Sequence, residues 1–99
     1  MKEKQGNLNQ FKSQIISIMK KHGVAKAGVF GSFARGRQTK ESDIDILIEP
    51  PERKFSLFDL VELESELEEK LKRKVDLLTY AEINHLLKRR ILSEQVRML

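Results

Sequence analysis

The chain has 99 residues, of which 39% are hydrophobic and 34% are charged. This length suits one domain with one modest core, so residues 1–99 are predicted to form a single domain, with residues 1–6 expected to be flexible. The absence of cysteine excludes disulfide scaffolds, thiolate zinc sites and thiol catalysis. The net charge of +4 permits a polyanionic ligand but is too small to require one. No apolar run is long enough to cross a membrane and the charged N-terminus is unlike a secretory signal, so a cytoplasmic location is expected.

Hydrophobic periodicity and turn signals predict four helices that alternate with three strands. In chain order, the predicted elements are a helix at Leu8–His22, a strand at Val24–Phe30, a short helix at Ser32–Arg37, a strand at Asp43–Glu49, a helix at Leu57–Lys72, a strand at Val75–Leu78, and a last helix opened by a Thr79–Glu82 capping box and continuing through Ile91. The order α-β-α-β-α-β-α indicates an α/β fold whose longer helices pack on one face of a small sheet.

Two aspartates mark the second predicted strand. Residues two apart on a strand point to the same face, about 6.6 Å apart, so Asp43 and Asp45 share a face, opposite to the isoleucines of the core face. Two neighbouring carboxylates repel each other and need a positive partner. A divalent cation would supply it; a solvated face, or pairing with Arg35, Arg37 or Lys40, is the alternative.

A glycine–serine pair follows the first predicted strand and opens the short helix. Gly31 would let the backbone approach a ligand closely, and the free N–H groups of the helix and the Ser32 hydroxyl could hold a phosphate. The alternative is that Gly31 turns the chain and Ser32 caps the helix. An anion site beside a cation site predicts a pocket for a metal-bound nucleoside triphosphate.

Asp76 is the single carboxylate in an otherwise apolar third strand. If that strand lies beside the Asp43–Asp45 strand, Asp76 joins the acidic cluster as a third metal ligand or as the general base for an attacking hydroxyl. The alternative is an ion pair with Lys74 or Arg73.

These segments together, Gly31–Gly36 (GSFARG), Ser42–Leu47 (SDIDIL) and Val75–Leu77 (VDL), resemble the minimal nucleotidyltransferases of the DNA polymerase beta superfamily. The resemblance implies a small mixed sheet with helices on one face, and transfer of a nucleoside monophosphate from ATP to a hydroxyl with two magnesium ions. It implies that Gly31, Ser32 and Arg35 bind the nucleotide. It also implies that Asp43, Asp45 and Asp76 are the catalytic, metal-binding carboxylates. Arg35 could instead buttress its loop.

Related minimal proteins are antitoxins of toxins with the all-helical HEPN fold. The resemblance therefore implies a magnesium-dependent protein adenylyltransferase that transfers AMP to a hydroxyl of a HEPN ribonuclease toxin, a tyrosine in studied relatives.

Two alternatives stay open: a non-catalytic antitoxin that masks the toxin, and nucleotidyl transfer to a small molecule such as an aminoglycoside. Nucleic acid is not favoured as a direct partner, because no basic patch is interleaved with aromatic residues. A homo-oligomer and a toxin–antitoxin hetero-oligomer are both compatible with the sequence. The apolar C-terminal tail fits either a core segment or a partner surface.

Overall fold

A computed structural model describes residues 8–37, 39 and 42–99. The predicted flexible segment at residues 1–6, and Lys40 as a partner of the aspartates, lie outside the described residues. The first helix, α1, spans Leu8–Lys21 and ends one residue before the predicted boundary. Val24 closes it by donating its backbone N–H to the carbonyl of Met19 (2.9 Å).

Four strands form one mixed sheet, as the family resemblance implies. The strands are β1 (Lys26–Phe30), β2 (Ile44–Glu49), β3 (Val75–Thr79) and β4 (Val96–Arg97). Their order in the sheet is β3-β2-β1-β4. Strand β1 is antiparallel to both β2 and β4, whereas β2 and β3 are parallel. The two-residue strand β4 was not predicted, because it is too short to show a periodic pattern.

Three more helices complete the fold: α2 (Ser32–Arg35), α3 (Leu57–Leu71) and α4 (His85–Glu94). Helix α3 begins with the predicted Ser56–Asp59 capping box. The Thr79–Glu82 capping box also forms, but the prediction that it opens the last helix is wrong. It caps a 3-10 turn at Tyr80–Glu82, and α4 starts separately with Asn84 as its cap.

The core lies between the sheet and the two long helices. The predicted core face of β2 is confirmed, since Ile44, Ile46 and Ile48 are fully buried. They pack in one cluster with buried residues of α1 and α3, so the two long helices occupy one face of the sheet as expected. No helix in the described part of the chain is long and apolar enough to cross a bilayer.

The opposite face of the sheet is also partly covered, which differs from a sheet with helices on one face only. Gly28 lies against Tyr80 and Gln95, and a Cβ at that position would collide with the Gln95 amide oxygen. The Tyr80 hydroxyl donates to Oε1 of Gln95 (2.9 Å), and Lys26 places Nζ 4.7 Å from the centre of the Tyr80 ring. Tyr80 therefore has a packing role.

Glutamates protect the free edge of β3. Glu68 accepts a hydrogen bond from the backbone N–H of Val75 (2.9 Å), and the backbone of Leu77 is close enough to Glu64 to influence its pKa. Unpaired edge groups invite aggregation, and charged side chains suppress it. Burial raises the pKa of Glu64, since its carboxylate leaves water to reach the strand. The glutamates of α3 therefore do not all face solvent, since Glu68 caps the edge of a strand.

Candidate active site

The three predicted aspartates converge at one end of the sheet. Asp45 on β2 is paired in register with Phe30, the last residue of β1, and with Asp76 on β3. Asp43, predicted to begin this strand, lies just before β2, and its charge acts on Asp45 two residues away. The condition on which the role of Asp76 depended, that β3 neighbours β2, is met.

A tight bend places Gly31 directly against the acidic cluster. Gly31 has φ 76° and ψ −152°, a conformation that favours glycine. A Cβ at this position would overlap Oδ2 of Asp45, so no larger residue fits without displacing that carboxylate. Glycine here therefore serves both the turn and the close approach.

Ser32 is the first residue of α2, and Gly31 occupies the N-cap position. The proposal that Ser32 merely caps the helix therefore does not hold, since no side-chain cap bond is present. The N–H groups of the first turn have no partner within so short a helix. The backbone N–H groups of Gly31 and Ser32 thus have no partner within the helix, and Gly31 lies beside Asp45.

Electrostatic repulsion is concentrated on Asp45. Burial, followed by the charges of Asp76 and Asp43, raises the pKa of Asp45 from 3.8 to about 6, and the Arg35 charge opposes this shift. Asp45 therefore lies within electrostatic reach of both neighbouring carboxylates. Such a cluster attracts a cation.

Within the described residues, none of these aspartates forms an ion pair. Arg35 binds Glu94 of α4 instead (Nη1–Oε1, 3.3 Å). Arg73 donates from Nη1 to the carbonyl oxygens of Thr39 and Ser42 (both 3.0 Å) and lies over the Phe33 ring. The structure therefore does not show Arg35 or Arg73 paired directly with these aspartates.

The acidic cluster fits a divalent cation of the magnesium type. Asp43, Asp45 and Asp76 offer hard oxygen donors, and no ion pair joins them to a cation in the part of the chain that the structure describes. No group of three His, Asp or Glu side chains in the described ranges is close enough to hold an ion unaided. The three aspartates therefore do not surround a single ion in this arrangement, whereas Mg²⁺ can be held by one or two carboxylates together with water and other oxygen ligands.

The placement of Arg35 depends on a contact that the sequence prediction missed. Glu94 accepts from Arg35 and also from Arg90, one turn before it on α4 (Nε–Oε2, 3.4 Å). The four-residue spacing of Arg90 and Glu94 is a visible sequence signal. The contact from Glu94 to Arg35 spans 59 positions, so no local pattern reveals it.

Comparison with known proteins identifies the family. The sequence model of the nucleotidyltransferase domain matches residues 12–97. The chain belongs to this family. A Methanocaldococcus jannaschii protein, provisionally named a protein adenylyltransferase, is 56% identical over 93 residues, which cover 94% of this chain and 99% of that protein. Protein adenylyltransferase MntA of Thermococcus cleftensis is 37% identical over 79 residues, with 80% of this chain and 79% of that protein covered.

Solved nucleotidyltransferase structures share the fold. One described as a minimal nucleotidyltransferase is 30% identical with a TM-score of 0.78, and the match covers 90% of each chain. A toxin–antitoxin complex with AMP-PNP is 22% identical with a TM-score of 0.77, covering 89% of this chain and 72% of the other. A complex of a tri-AMPylated Shewanella oneidensis HEPN toxin with its MNT antitoxin is 18% identical with a TM-score of 0.70, covering 92% and 71%. The nucleotidyltransferase fold and the enzyme class expected from the sequence are therefore confirmed.

Proposed function

We propose that the chain is a magnesium-dependent adenylyltransferase that moves AMP from ATP to a tyrosine hydroxyl of a HEPN-fold toxin and so acts as its antitoxin. The observation that carries this proposal is the convergence of Asp43, Asp45 and Asp76 beside the Gly31–Ser32 bend. Carboxylates for a cation and donors for phosphate lie together, as metal-assisted phosphoryl chemistry requires.

The proposed roles follow from this arrangement. The backbone at Gly31 and Ser32 holds the phosphates, while Asp43, Asp45 and Asp76 hold the metal. Bound magnesium would neutralise charge on the phosphates and orient them. The acceptor oxygen forms a bond to the α-phosphorus, and the bond to the bridging oxygen of the β-phosphate breaks, releasing pyrophosphate. The hydroxyl proton passes to Asp76 or to water; Asp76 is the more exposed of the two paired aspartates and so more open to an acceptor.

The choice of a protein acceptor draws on the relatives. Two of them carry the name protein adenylyltransferase, and one neighbouring structure contains an AMPylated HEPN toxin. The AMP-PNP in another neighbour supports an adenine nucleotide as the donor.

The decisive experiment mixes the chain with ATP labelled on its α-phosphate, magnesium and a candidate HEPN-fold partner protein. Label should move to the partner, and mass spectrometry should place AMP on a tyrosine. Asp43→Asn and Asp45→Asn should each abolish transfer, because each removes a proposed metal ligand. Glu69→Gln, at an exposed acid of α3, is the matched control and should transfer normally.

Two outcomes would contradict the proposal. Retained transfer in both aspartate variants would refute the metal assignment. Toxin neutralisation without any transfer, and equally well by the aspartate variants, would show that the chain masks its partner by binding alone.

A further inference from the structure

A cavity of ≈ 230 Å³ lies next to the acidic cluster, between helix α4 and the end of β1. Phe30 and Gly31 form one wall, and Leu87 and Ile91 of α4 form the other. Arg35, Arg90 and Glu94 also line the cavity, and the Glu94 carboxylate pairs with both arginines. The cavity is thus an apolar slot with a charged edge of two arginines and one glutamate.

The position of the cavity connects it to the proposed phosphate site. Gly31 lines the slot and also contacts Asp45 from the bend. Phe30 is the in-register partner of Asp45, so both side chains project from the same face of the sheet. A ligand whose phosphates lie at Gly31 therefore reaches the slot without crossing the sheet.

The size and chemistry of the slot suit the base of such a ligand better than its phosphates. Clefts that enclose a whole drug-sized ligand measure roughly 300–1,000 Å³, so this smaller space suits one ring system. Apolar side chains accept the faces of a flat ring, and an arginine can stack on it. A phosphate group, by contrast, would gain nothing from Leu87 and Ile91.

We propose that this slot holds the base of the nucleotide whose phosphates lie at the Gly31–Ser32 bend, with Leu87 and Ile91 as its binding wall. This inference rests on the proposed nucleotide chemistry and adds the place where the base is recognised. Glu94 ties Arg35 on α2 to Arg90 on α4 and so holds the two sides of the slot together.

The chain itself offers a matched pair of test positions. Leu87 lines the slot and is 49% exposed, whereas its neighbour Leu86 is 85% exposed and lies outside the slot. The chain has no tryptophan, so an introduced indole is a unique fluorophore. Leu87→Trp would fill the slot, and Leu86→Trp would add the same group to the same helix away from it.

The test measures the affinity of wild type and both variants for ATP and for inorganic tripolyphosphate, each with magnesium, by calorimetry. Leu87→Trp should weaken ATP binding by about tenfold and leave tripolyphosphate binding unchanged, since only ATP carries a base. Leu86→Trp should match wild type for both ligands. ATP should also change the indole fluorescence of Leu87→Trp but not that of Leu86→Trp.

Leu87→Ala, compared with Leu86→Ala, provides a second pair that does not depend on fitting a large ring, and Leu87→Ala should weaken ATP binding by a few-fold. Normal ATP binding by both Leu87 variants would overturn the base site while leaving the proposed function intact. An equal loss of ATP and tripolyphosphate binding by the Leu87 variants would also overturn it. Normal ATP binding by these variants with a raised KM for the toxin would overturn it too, because the slot would then bind the acceptor. A wild-type chain that binds neither ligand would overturn the proposed function together with this inference.

Discussion

Asp45 and Asp76 are in-register partners on the parallel strands β2 and β3, so two acidic side chains stand next to each other on one face of the sheet. Like charges placed opposite each other across strands destabilise a sheet. Neither carboxylate has a cationic partner among the described residues. The pairing therefore reduces the stability of the ligand-free protein and creates a place where a cation binds favourably.

The charge on Asp45 should lower stability in a pH-dependent way. The pKa of Asp45 is raised from 3.8 to about 6, so the folded state binds this proton more tightly than the unfolded chain does. The free energy of unfolding therefore falls as pH rises through this window and falls no further above it. Two pKa units correspond to at most about 3 kcal/mol, and solvent screening at a half-buried group reduces this to about 1–2 kcal/mol.

Asp45→Asn should accordingly raise the melting temperature of the metal-free protein by about 5–10 °C near neutral pH. The gain should shrink toward zero as pH approaches 4, where the native aspartate is already protonated. Glu49→Gln, at the exposed far end of the same strand, is the control and should change little. Thermal melts that show no gain for Asp45→Asn at neutral pH would contradict the repulsion.

Arg35 should hold the pKa of Asp45 below the value that the acidic cluster alone would give. Its positive charge is the one influence on Asp45 that lowers this pKa. Arg35→Gln should therefore raise the pKa of Asp45 above about 6, measured by following the carboxyl carbon in an NMR titration. Arg37→Gln removes another exposed charge two residues further along the chain and should change the pKa of Asp45 less than Arg35→Gln does. Equal titration curves for the two variants would show that Arg35 lies elsewhere in solution.

Local patterns predicted the parts of the site but not their assembly. The alternation of Ile44, Ile46 and Ile48 identified β2 and its core face, and the two-residue spacing put Asp43 and Asp45 together. The sequence could not state that β3 lies beside β2, because strand order depends on packing between distant segments. The role of Asp76 was conditional for that reason.

The missed features have similar physical causes. A capping box satisfies the same backbone groups in a 3-10 turn as in an α-helix, so Thr79 and Glu82 could not reveal which of the two follows. The contact between Arg35 and Glu94, and the slot it borders, join segments far apart in the chain. The roles of Gly31, Ser32, Asp43, Asp45 and Asp76 are predictions, which the transfer assay with the aspartate variants tests.

Gly31 should be intolerant of any side chain because of its contact with Asp45. Gly31→Ala adds a Cβ where the Asp45 carboxylate lies and also strains a positive φ of 76°. Gly36→Ala is a close control, since its φ is 73° but no atom lies within 4 Å of the added Cβ. Gly36→Ala should lose about 1–2 kcal/mol of stability, because Gly36 is in the left-handed helical region (ψ 22°). Gly31→Ala should lose more, because its ψ of −152° belongs to a region almost restricted to glycine and its Cβ meets Asp45, and only this variant should fail to bind ATP with magnesium. Denaturant unfolding and calorimetry would measure this, and equal behaviour of the two variants would refute the close approach.

Met98 should act as a core residue at the C-terminal end of the chain. Its side chain is 7% exposed in the main cluster, and its backbone N–H donates to the carbonyl of Ala27 on β1 (2.8 Å). Met98→Ala should lower the free energy of unfolding by about 2–3 kcal/mol, whereas Val96→Ala, at a side chain that is 37% exposed, should lower it by less than about 1 kcal/mol. Denaturant titration gives both values, and hydrogen exchange should show a protected Met98 amide. Equal small losses with a rapidly exchanging amide would mean that the tail does not dock on β1 and is available to a partner instead.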